Sequence, residues 1–237
     1  MYEKINAIVI STLKYNDSSI IVKCLTKQGT RSYLIKGIFK NTKSPIKIAL
    51  FLPLTQLELI ATHKNNNNLE HIKEAKINIP YYSLHTNIYK SAVTMFLAEV
   101  CTQISTSEAP DEELFLFLQE SLLFFDRNDF SSHFHLKFLL SLTRYLGFYP
   151  DYTHNQLPFF DLEEGTFTTT NNSDNVIAGN ALNLFKKIVT SPYSSLTTLK
   201  SNKTERNTLL RHLLKYYQWH FPNFKPLKSL EVLETLF

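Results

Sequence analysis

IIVKCLT (residues 20–26) and TRSYLIK (residues 30–36), joined by Lys27-Gln28-Gly29, decide the fold of the first third of the chain. Both runs are rich in the β-branched and aromatic residues that strands favour. The glycine between them suits the positive φ of a tight turn. The pattern therefore predicts an antiparallel hairpin that ends at Gly37.

Strand patterns also lie on both sides of this hairpin. Residues 5–10 are apolar at nearly every position, which is typical of a strand buried on much of both faces. Downstream, a mostly apolar run contains a proline that suggests a bulge or a sheet edge, and an asparagine-rich loop separates it from a fifth strand. These segments are residues 46–62 with Pro53, Asn65–Asn68, and residues 69–79 before Pro80. Five short strands predict a small closed or nearly closed barrel.

After Pro80 the hydrophobic period changes to that of helices. Apolar residues at helical spacing predict five helices over residues 84–104, 111–125, 132–146, 202–217 and 229–237. Ser132 is expected to cap the third of these helices, and Asn202 with Glu205 resembles a capping box at the start of the fourth. Residues 157–175 are loop-like. The sequence therefore predicts an α+β protein of two domains, a barrel over 1–80 and an all-α domain over 81–237. A loop-rich insertion is expected near 151–178.

The composition argues against an enzyme. Only 5 of the 237 residues are glycine, and their spacing matches neither a phosphate-binding glycine loop nor a nucleophile elbow. The one close histidine pair, His133 and His135, points to different faces of a helix or a strand. The adjacent acids at 112–113 and 163–164 are typical of solvated surfaces. We therefore predict no catalytic residues, no metal site and no cofactor. No group of residues in the sequence indicates a hydrolase or a transferase.

Two features predict a cytoplasmic protein. Cys24 and Cys101 are isolated, so they form neither a disulfide framework nor a cysteine-based zinc site. The first ten residues lack the long apolar core of a signal peptide, and no stretch approaches about 18 uninterrupted apolar residues. No membrane partner is expected.

The net charge of +4 hides three blocks of opposite sign. Residues 1–80 carry 12 Lys and Arg against 5 Asp and Glu, a net +7, whereas residues 81–175 carry a net −9 and residues 176–237 a net +6. Such asymmetry points to an anionic partner for the basic blocks. The alternative is that lysine and asparagine simply fill solvated faces.

The densest basic cluster is KGIFKNTKS, residues 36–44, extended by Lys47. Four lysines surround Phe39, and Arg31 and Tyr33 lie just upstream. Single-stranded nucleic acid is bound by cations that meet phosphates and by aromatic faces that stack on bases. Small five-stranded barrels often do this with strands 2 and 3 and the neighbouring loops. The alternative is a solvated loop beside core aromatics, with Tyr33 pointing inward.

A second basic group lies near the end of the sequence. Its members are Lys186, Lys187, Lys200, Lys203, Arg206, Arg211, Lys215, Lys225 and Lys228. Arg211 and Lys215 are four residues apart on a predicted helix, so they share a face that could meet phosphate or an acidic peptide. The alternatives are a solvated helix face, or packing against the acidic middle of the chain.

The order of several short motifs resembles the RecO family of bacterial DNA repair proteins over nearly the whole chain. The N-terminal motifs are AIVI from Ala7, YNDSSIIV from Tyr15, Thr26 with Gly29, Lys36-Gly37 with Lys43-Ser44, Leu52-Pro-Leu54 and Leu57-Glu58. The later motifs are LGFYP from Leu146, LRHLLKYYQWH from Leu210 and FKPLKS from Phe224.

The resemblance implies an N-terminal OB-fold and a C-terminal helical domain. It also implies binding of single- and double-stranded DNA and annealing of complementary strands, in the bacterial cytoplasm at the nucleoid. With RecR, such a protein would help load recombinase onto strands coated by single-stranded-DNA-binding protein (SSB). The alternative function is a protein–protein scaffold whose OB-like barrel binds another subunit and never touches DNA.

Under this interpretation, particular residues of the two basic groups have expected roles. We expect DNA contacts from Arg31, Lys36, Lys40, Lys43 and Lys47 at phosphates, and from Phe39 or Tyr15 at bases. The helical domain would receive the acidic tail of SSB, which needs an apolar pocket for its terminal side chain and a cation for its carboxylate. The candidate cations are Arg144, Arg211 and Lys215.

The chain departs from the family pattern after the LGFYP motif. Many members carry a four-cysteine zinc site there, but residues 151–180 contain no cysteine. We therefore expect no zinc, and packing by Phe159, Phe160 and Phe167 instead.

Overall fold

The computed structural model describes residues 2–39, 46–62, 69–105, 109–171 and 175–237. The chain forms two compact units, Met1–Arg127 and Asn128–Phe237. The first unit contains all five strands of the N-terminal sheet and the two helices that follow them. In the described ranges, no helix is long and apolar enough to cross a membrane.

The first unit is built on a five-stranded antiparallel sheet in the order β3-β2-β1-β4-β5. Its strands are β1 (Tyr2–Lys14), β2 (Ile20–Thr26), β3 (Gly29–Ile35), β4 (Gln56–Thr62) and β5 (Ile72–Ile79). The sheet curls until the edge strand β3 meets Glu70, just before β5, through a parallel bridge from Tyr33. The Leu34 N–H donates to the Glu70 carbonyl at 2.8 Å, and the Glu70 N–H donates to the Ser32 carbonyl at 3.0 Å. A curled five-stranded sheet of this kind confirms the predicted OB-like fold class.

Two features of this sheet agree with the local sequence pattern. Gly29, at the turn of the predicted hairpin, has a φ of 97°. In β1, Ile5, Ala7 and Val9 belong to the core inside the curled sheet, while Ile8 and Ile10 on the other face are just as buried. The strand is therefore buried on both faces over much of its length, as predicted.

The helices α1 (Ile88–Ile104) and α2 (Glu112–Arg127) complete the first unit. The Asp126 carboxylate, near the end of α2, accepts the backbone N–H groups of Tyr82, Ser83 and Leu84 at 3.0, 2.8 and 2.9 Å. Burial acts to raise the pKa of Asp126, but these amide donors outweigh it and hold the pKa below its usual value. The Lys90 ammonium donates to the Ser83 hydroxyl and to the Asp126 carbonyl. The segment that links the sheet to α1 is therefore fixed to α2.

The strand predicted over residues 46–62 is wrong in its first half. A 3-10 helix occupies Ile48–Phe51, and β4 begins only at Gln56. Between them Leu54 has a φ of 59°, and its N–H donates to the Val9 carbonyl at 2.8 Å. An apolar run predicts burial, but by itself it does not distinguish a strand from a turn that packs on the sheet.

The second unit contains four helices among its described residues, α3 (Phe134–Tyr145), α4 (Gly179–Thr190), α5 (Lys203–His220) and α6 (Leu230–Leu236). The predicted capping box is confirmed, because the Asn202 side chain accepts the Glu205 N–H while the Glu205 carboxylate accepts the Asn202 N–H. Ser132 does not cap α3. The hydroxyl of Ser131 accepts the His133 N–H there instead.

The loop predicted over residues 157–175 is also wrong, because it contains most of a small three-stranded sheet. Its strands are β6 (Phe159–Asp161), β7 (Thr166–Thr168) and β8 (Val176–Ile177), in the order β7-β6-β8. Strands of two or three residues are too short to show the alternation on which strand prediction depends.

Aromatic rings connect this small sheet to α4 and α5. The ring centroid of Phe160 lies 5.2 Å from that of Phe167, 4.7 Å from that of Phe185 and 5.9 Å from that of Tyr216. Phe160 and Phe167 are buried, whereas Phe159 is only partly buried. Aromatic packing of this kind holds a sheet that is otherwise too small to be stable alone.

Candidate nucleic-acid interface

The strand register defines one end of the barrel. Lys14 of β1 pairs with Ile20 of β2, and Ile20 pairs in turn with Ile35 of β3. Tyr15 directly follows one member of this row and Lys36 directly follows another. Both side chains therefore leave the sheet at the same end.

The segment before β4 runs toward the same end of the barrel. The Leu54 N–H donates to the Val9 carbonyl at 2.8 Å, and the Thr12 hydroxyl donates to the Phe51 carbonyl at 2.9 Å. Moving from Leu54 back to Phe51 thus advances along β1 toward its last residue. Lys47, at the start of the 3-10 helix, continues in that direction.

Aromatic and cationic side chains are exposed at this end. Tyr15 is 58% exposed and Phe39 is 45% exposed, and Lys36 and Lys47 are exposed beside them. Lys40 and Lys43, also predicted to meet phosphate, lie outside the described residues. We call this surface the barrel end and define it by Leu13, Lys14, Tyr15, Lys36, Phe39, Lys47, Ile48 and Leu52.

The apolar part of the barrel end does not follow from the sequence prediction. Leu13, Ile48 and Leu52 are all exposed, although the sequence pattern assigns the last two to a strand. The exposure of Ile48 and Leu52 follows from the 3-10 helix, which turns these two residues of an apolar run toward solvent. Lys14 is a further cation that the prediction lacks, and its ammonium lies 3.5 Å from the exposed Asp17 carboxylate. Exposed ion pairs of this kind are weak, so Lys14 can exchange partners.

Arg31 lies away from the barrel end. Arg31 of β3 pairs with Cys24 of β2. It precedes Lys36 by five residues, which is about 16 Å along a strand. Its guanidinium donates to the carbonyls of Gln28 at 3.0 Å and Thr30 at 3.3 Å, at the hairpin turn. The structure therefore does not bring Arg31 together with the other predicted DNA contacts.

Tyr33 and Cys24, which lie inside the barrel, offer neither an exposed ring nor a reactive thiol. Tyr33 is fully buried, and burial together with nearby Glu70 raises the pKa of its phenol. Burial also raises the pKa of Cys24, and that of Cys101 on α1, to about 12, so both remain thiols. Across the described part of the chain, no group of three or more His, Cys, Asp or Glu side chains could hold one metal ion.

The three cations predicted to meet an acidic tail lie in the second unit, in different surroundings. The Arg144 guanidinium, on α3, lies 4.3 Å from the ring centroid of Tyr149. Arg211, on α5, makes a two-pronged contact with the Glu234 carboxylate at 2.6 and 2.9 Å. Lys215 is one turn further along α5 and is partly buried. Arg211 is therefore already paired with an acid of its own chain.

Both parts of the chain match sequence profiles of one known family. The profile described as Recombination protein O N terminal matches residues 1–81, and the one described as Recombination protein O C terminal matches residues 85–231. The chain is 41% identical over 238 residues to DNA repair protein RecO of Flavobacterium psychrophilum and to that of Flavobacterium johnsoniae, over 100% of each chain. It is 35% identical over 241 residues to DNA repair protein RecO of Bacteroides fragilis, again over 100% of both chains.

Proposed function

The chain belongs to the recombination protein O family, and from this premise we propose that it is a DNA-binding mediator of recombination in DNA repair. It binds single- and double-stranded DNA and takes part in repair without chemistry of its own. The shared name of its relatives, DNA repair protein RecO, supports the role in repair. Its working place is then the bacterial cytoplasm, at the nucleoid.

The observation that carries this proposal is the pairing of aromatic and cationic side chains on the barrel end. Tyr15 and Phe39 expose large parts of their rings, and Lys36 and Lys47 are exposed at the same end. A single strand needs both, because its phosphates require cations and its unstacked bases gain about 1–3 kcal/mol each from an aromatic face. Because phosphate contacts do not depend on the bases, the same surface also binds double-stranded DNA, without sequence preference.

We propose further that strands held in this way anneal. Two single strands repel each other through their phosphates, and a surface that neutralises phosphates lowers this repulsion. The protein should therefore accelerate the pairing of two labelled complementary oligonucleotides, followed by energy transfer between their labels.

Matched variants make the annealing experiment specific. Tyr15→Ala/Phe39→Ala should lose most of the acceleration, because it removes both exposed rings of the barrel end. Tyr2→Ala/Tyr82→Ala removes two exposed rings elsewhere in the first unit and should keep it. If the unaltered protein does not accelerate annealing, the barrel acts as a protein–protein scaffold instead.

The second unit gives the proposed mediator its protein partners. We infer that it receives the acidic tail of SSB, with Arg144, Arg211 and Lys215 as candidate cations, and that RecR assists in loading recombinase onto SSB-coated strands. The net +6 of residues 176–237 supports an acidic partner. Recombinase filaments on SSB-coated single strands should form faster when this protein and RecR are both present than with either alone.

A further inference from the structure

Polar contacts join the last helix of the second unit to α5. Arg211 contacts the Glu234 carboxylate, and the Lys203 ammonium donates to the Thr235 carbonyl at 2.8 Å. The Asn207 side chain adds a donor to the Glu234 carbonyl at 3.3 Å. An acidic segment thus lies across a basic face of α5.

One aromatic residue after α6 fills a pocket in this unit. The ring centroid of Phe237 lies 5.2 Å from that of Phe130 and 5.9 Å from that of His135, and both pairs are nearly parallel, at 26° and 24°. The Arg206 guanidinium donates to the Phe237 carbonyl at 3.0 Å. The side chain is 5% exposed, so the pocket provides an apolar wall and a cation for the same residue.

The walls of this pocket are held by contacts that do not involve α6. The His133 ring nitrogen lies 2.7 Å from the Ser201 hydroxyl, which joins the start of α3 to the segment before α5. The Arg206 guanidinium also donates to the Ser201 carbonyl at 2.7 Å. His135 is itself part of α3. Two of the hydrogen bonds that hold the walls of the pocket therefore do not depend on Phe237.

The segment that fills the pocket has little to hold it as a helix. It has seven residues, and isolated helices shorter than about 12 residues are marginal in water. Only Leu233 and Phe237 are buried between residues 230 and 237, while Val232 is 57% exposed. The chain just before it is anchored separately, by buried Leu227 and by Phe224, whose ring packs on Tyr217.

We propose that residues 230–237 are a displaceable cover over a peptide-binding pocket, and that an acidic partner peptide takes their place. The pocket is formed by Phe130, His135 and Arg206, with Arg211 at its rim. A competing peptide needs an acid for Arg211 and an aromatic side chain for the pocket, as Glu234 and Phe237 supply now. The inference rests on the proposed function in one respect, since the acidic tail of SSB is the competitor that it names.

The cover has a regulatory consequence. Because it is tethered, it competes at an effective concentration of about a millimolar, which weakens any partner that binds the same pocket. The pocket is then opened only by a partner presented at high local concentration, such as many tails on one coated strand.

The experiment compares the full chain with a variant that ends at Lys228. The probe is a fluorescent peptide with the sequence of residues 229–237, and binding is measured by anisotropy. The shortened variant should bind this peptide, and the full chain should bind it at least about tenfold more weakly. A control peptide with Glu234→Lys and Phe237→Ala should bind neither. A folded shortened variant, with α-helical circular dichroism retained, that does not bind the first peptide would overturn the proposal.

A second probe, a peptide of the SSB tail, separates this inference from the proposed function. Equal binding of that tail to both proteins overturns the cover but leaves tail binding intact. Binding of the 229–237 peptide without binding of the SSB tail supports the cover and refutes the tail as partner. If the shortened variant does not fold, Phe237→Ala in the full chain replaces it. That variant should bind the 229–237 peptide several-fold more tightly than the unaltered chain, and an unchanged affinity for that peptide overturns the cover.

Discussion

The barrel end and the small sheet of the second unit use the same kinds of side chain in opposite ways. At the barrel end Lys36 and Phe39 are exposed. In the second unit the Lys186 ammonium lies 5.2 Å from the ring centroid of Phe167, and Phe167 is 4% exposed. Each of the two rings follows a glycine by two residues along the chain. In the second unit α4 and α5 cover the small sheet, so the same kinds of side chain form part of a packed core there.

The largest expected contrast between the two regions comes from removing one phenylalanine in each. Phe160→Ala should lower the free energy of unfolding of the second unit by about 3–5 kcal/mol, because it empties the centre of the aromatic cluster. Phe39→Ala should change stability by less than about 0.5 kcal/mol, because its ring is solvated, but it should weaken binding to single-stranded DNA. Urea unfolding followed by Trp219, the single tryptophan, measures the first effect. Equal destabilisation by the two variants would erase the contrast.

The glycines beside the two regions give the next largest difference. Gly165 has a φ of 68°, and a Cβ there would lie 2.9 Å from the Tyr216 hydroxyl, whereas a Cβ on Gly37, with a φ of 72°, would meet nothing within 4 Å. Gly37→Ala should therefore lower the free energy of unfolding by the backbone strain alone, about 1 kcal/mol. Gly165→Ala adds the steric clash to this strain and should lower it by about 2–3 kcal/mol. Thermal unfolding of both variants checks the order, and a smaller loss for Gly165→Ala would show that the aromatic cluster yields easily.

Acid should affect the second unit through a buried imidazole. Burial, with a smaller electrostatic contribution from His133 and Arg206, lowers the pKa of His135 to about 3. The unfolded chain takes up a proton at this imidazole near pH 6.5, whereas the folded chain does not. The free energy of unfolding therefore keeps its full value above about pH 6.5 and decreases as the pH falls toward 3. Between pH 6.5 and 5 this amounts to about 2 kcal/mol.

Two substitutions test the origin of this acid sensitivity. His135→Phe keeps an aromatic ring against Phe237 and removes the titrating group, so the loss of unfolding free energy between pH 6.5 and 5 should shrink by about 2 kcal/mol. His154→Gln, which removes an exposed imidazole, serves as the control. If His135→Phe loses as much stability between the two pH values as the unaltered protein does, then His135 does not cause the sensitivity.

Some elements could be predicted from the sequence because their signals are local. The hairpin around Gly29 and the capping box of Asn202 and Glu205 are fixed by residues within a few positions of each other, and both are confirmed. The 3-10 helix at Ile48–Phe51 could not be predicted, because its apolar run equally suits a strand. The strands of the small sheet, such as Val176–Ile177, are too short to carry a period.

The candidate site was predictable in composition but not in geometry. The sequence indicates which lysines and rings lie near Phe39, yet only the strand register moves Arg31 to the other end of β3 and adds Leu13 and Leu52 to the barrel end. The contact of Arg211 with Glu234 likewise depends on how two distant helices pack. The DNA contacts, the tail-binding cations and the boundary near residue 80 stay predictions.

The central claim is that DNA is held by the cations of the barrel end, and its most direct test is the salt dependence of single-strand binding. The variant Lys36→Ala/Lys47→Ala is compared with Lys4→Ala/Lys73→Ala, which removes the same charge from exposed lysines near the other end of β1 and the start of β5. Each lost phosphate contact should reduce the slope of log affinity against log salt by about 0.7, so the first variant should flatten it by about 1.4. The second should keep the slope of the unaltered protein. Equal slopes for all three proteins would contradict the account.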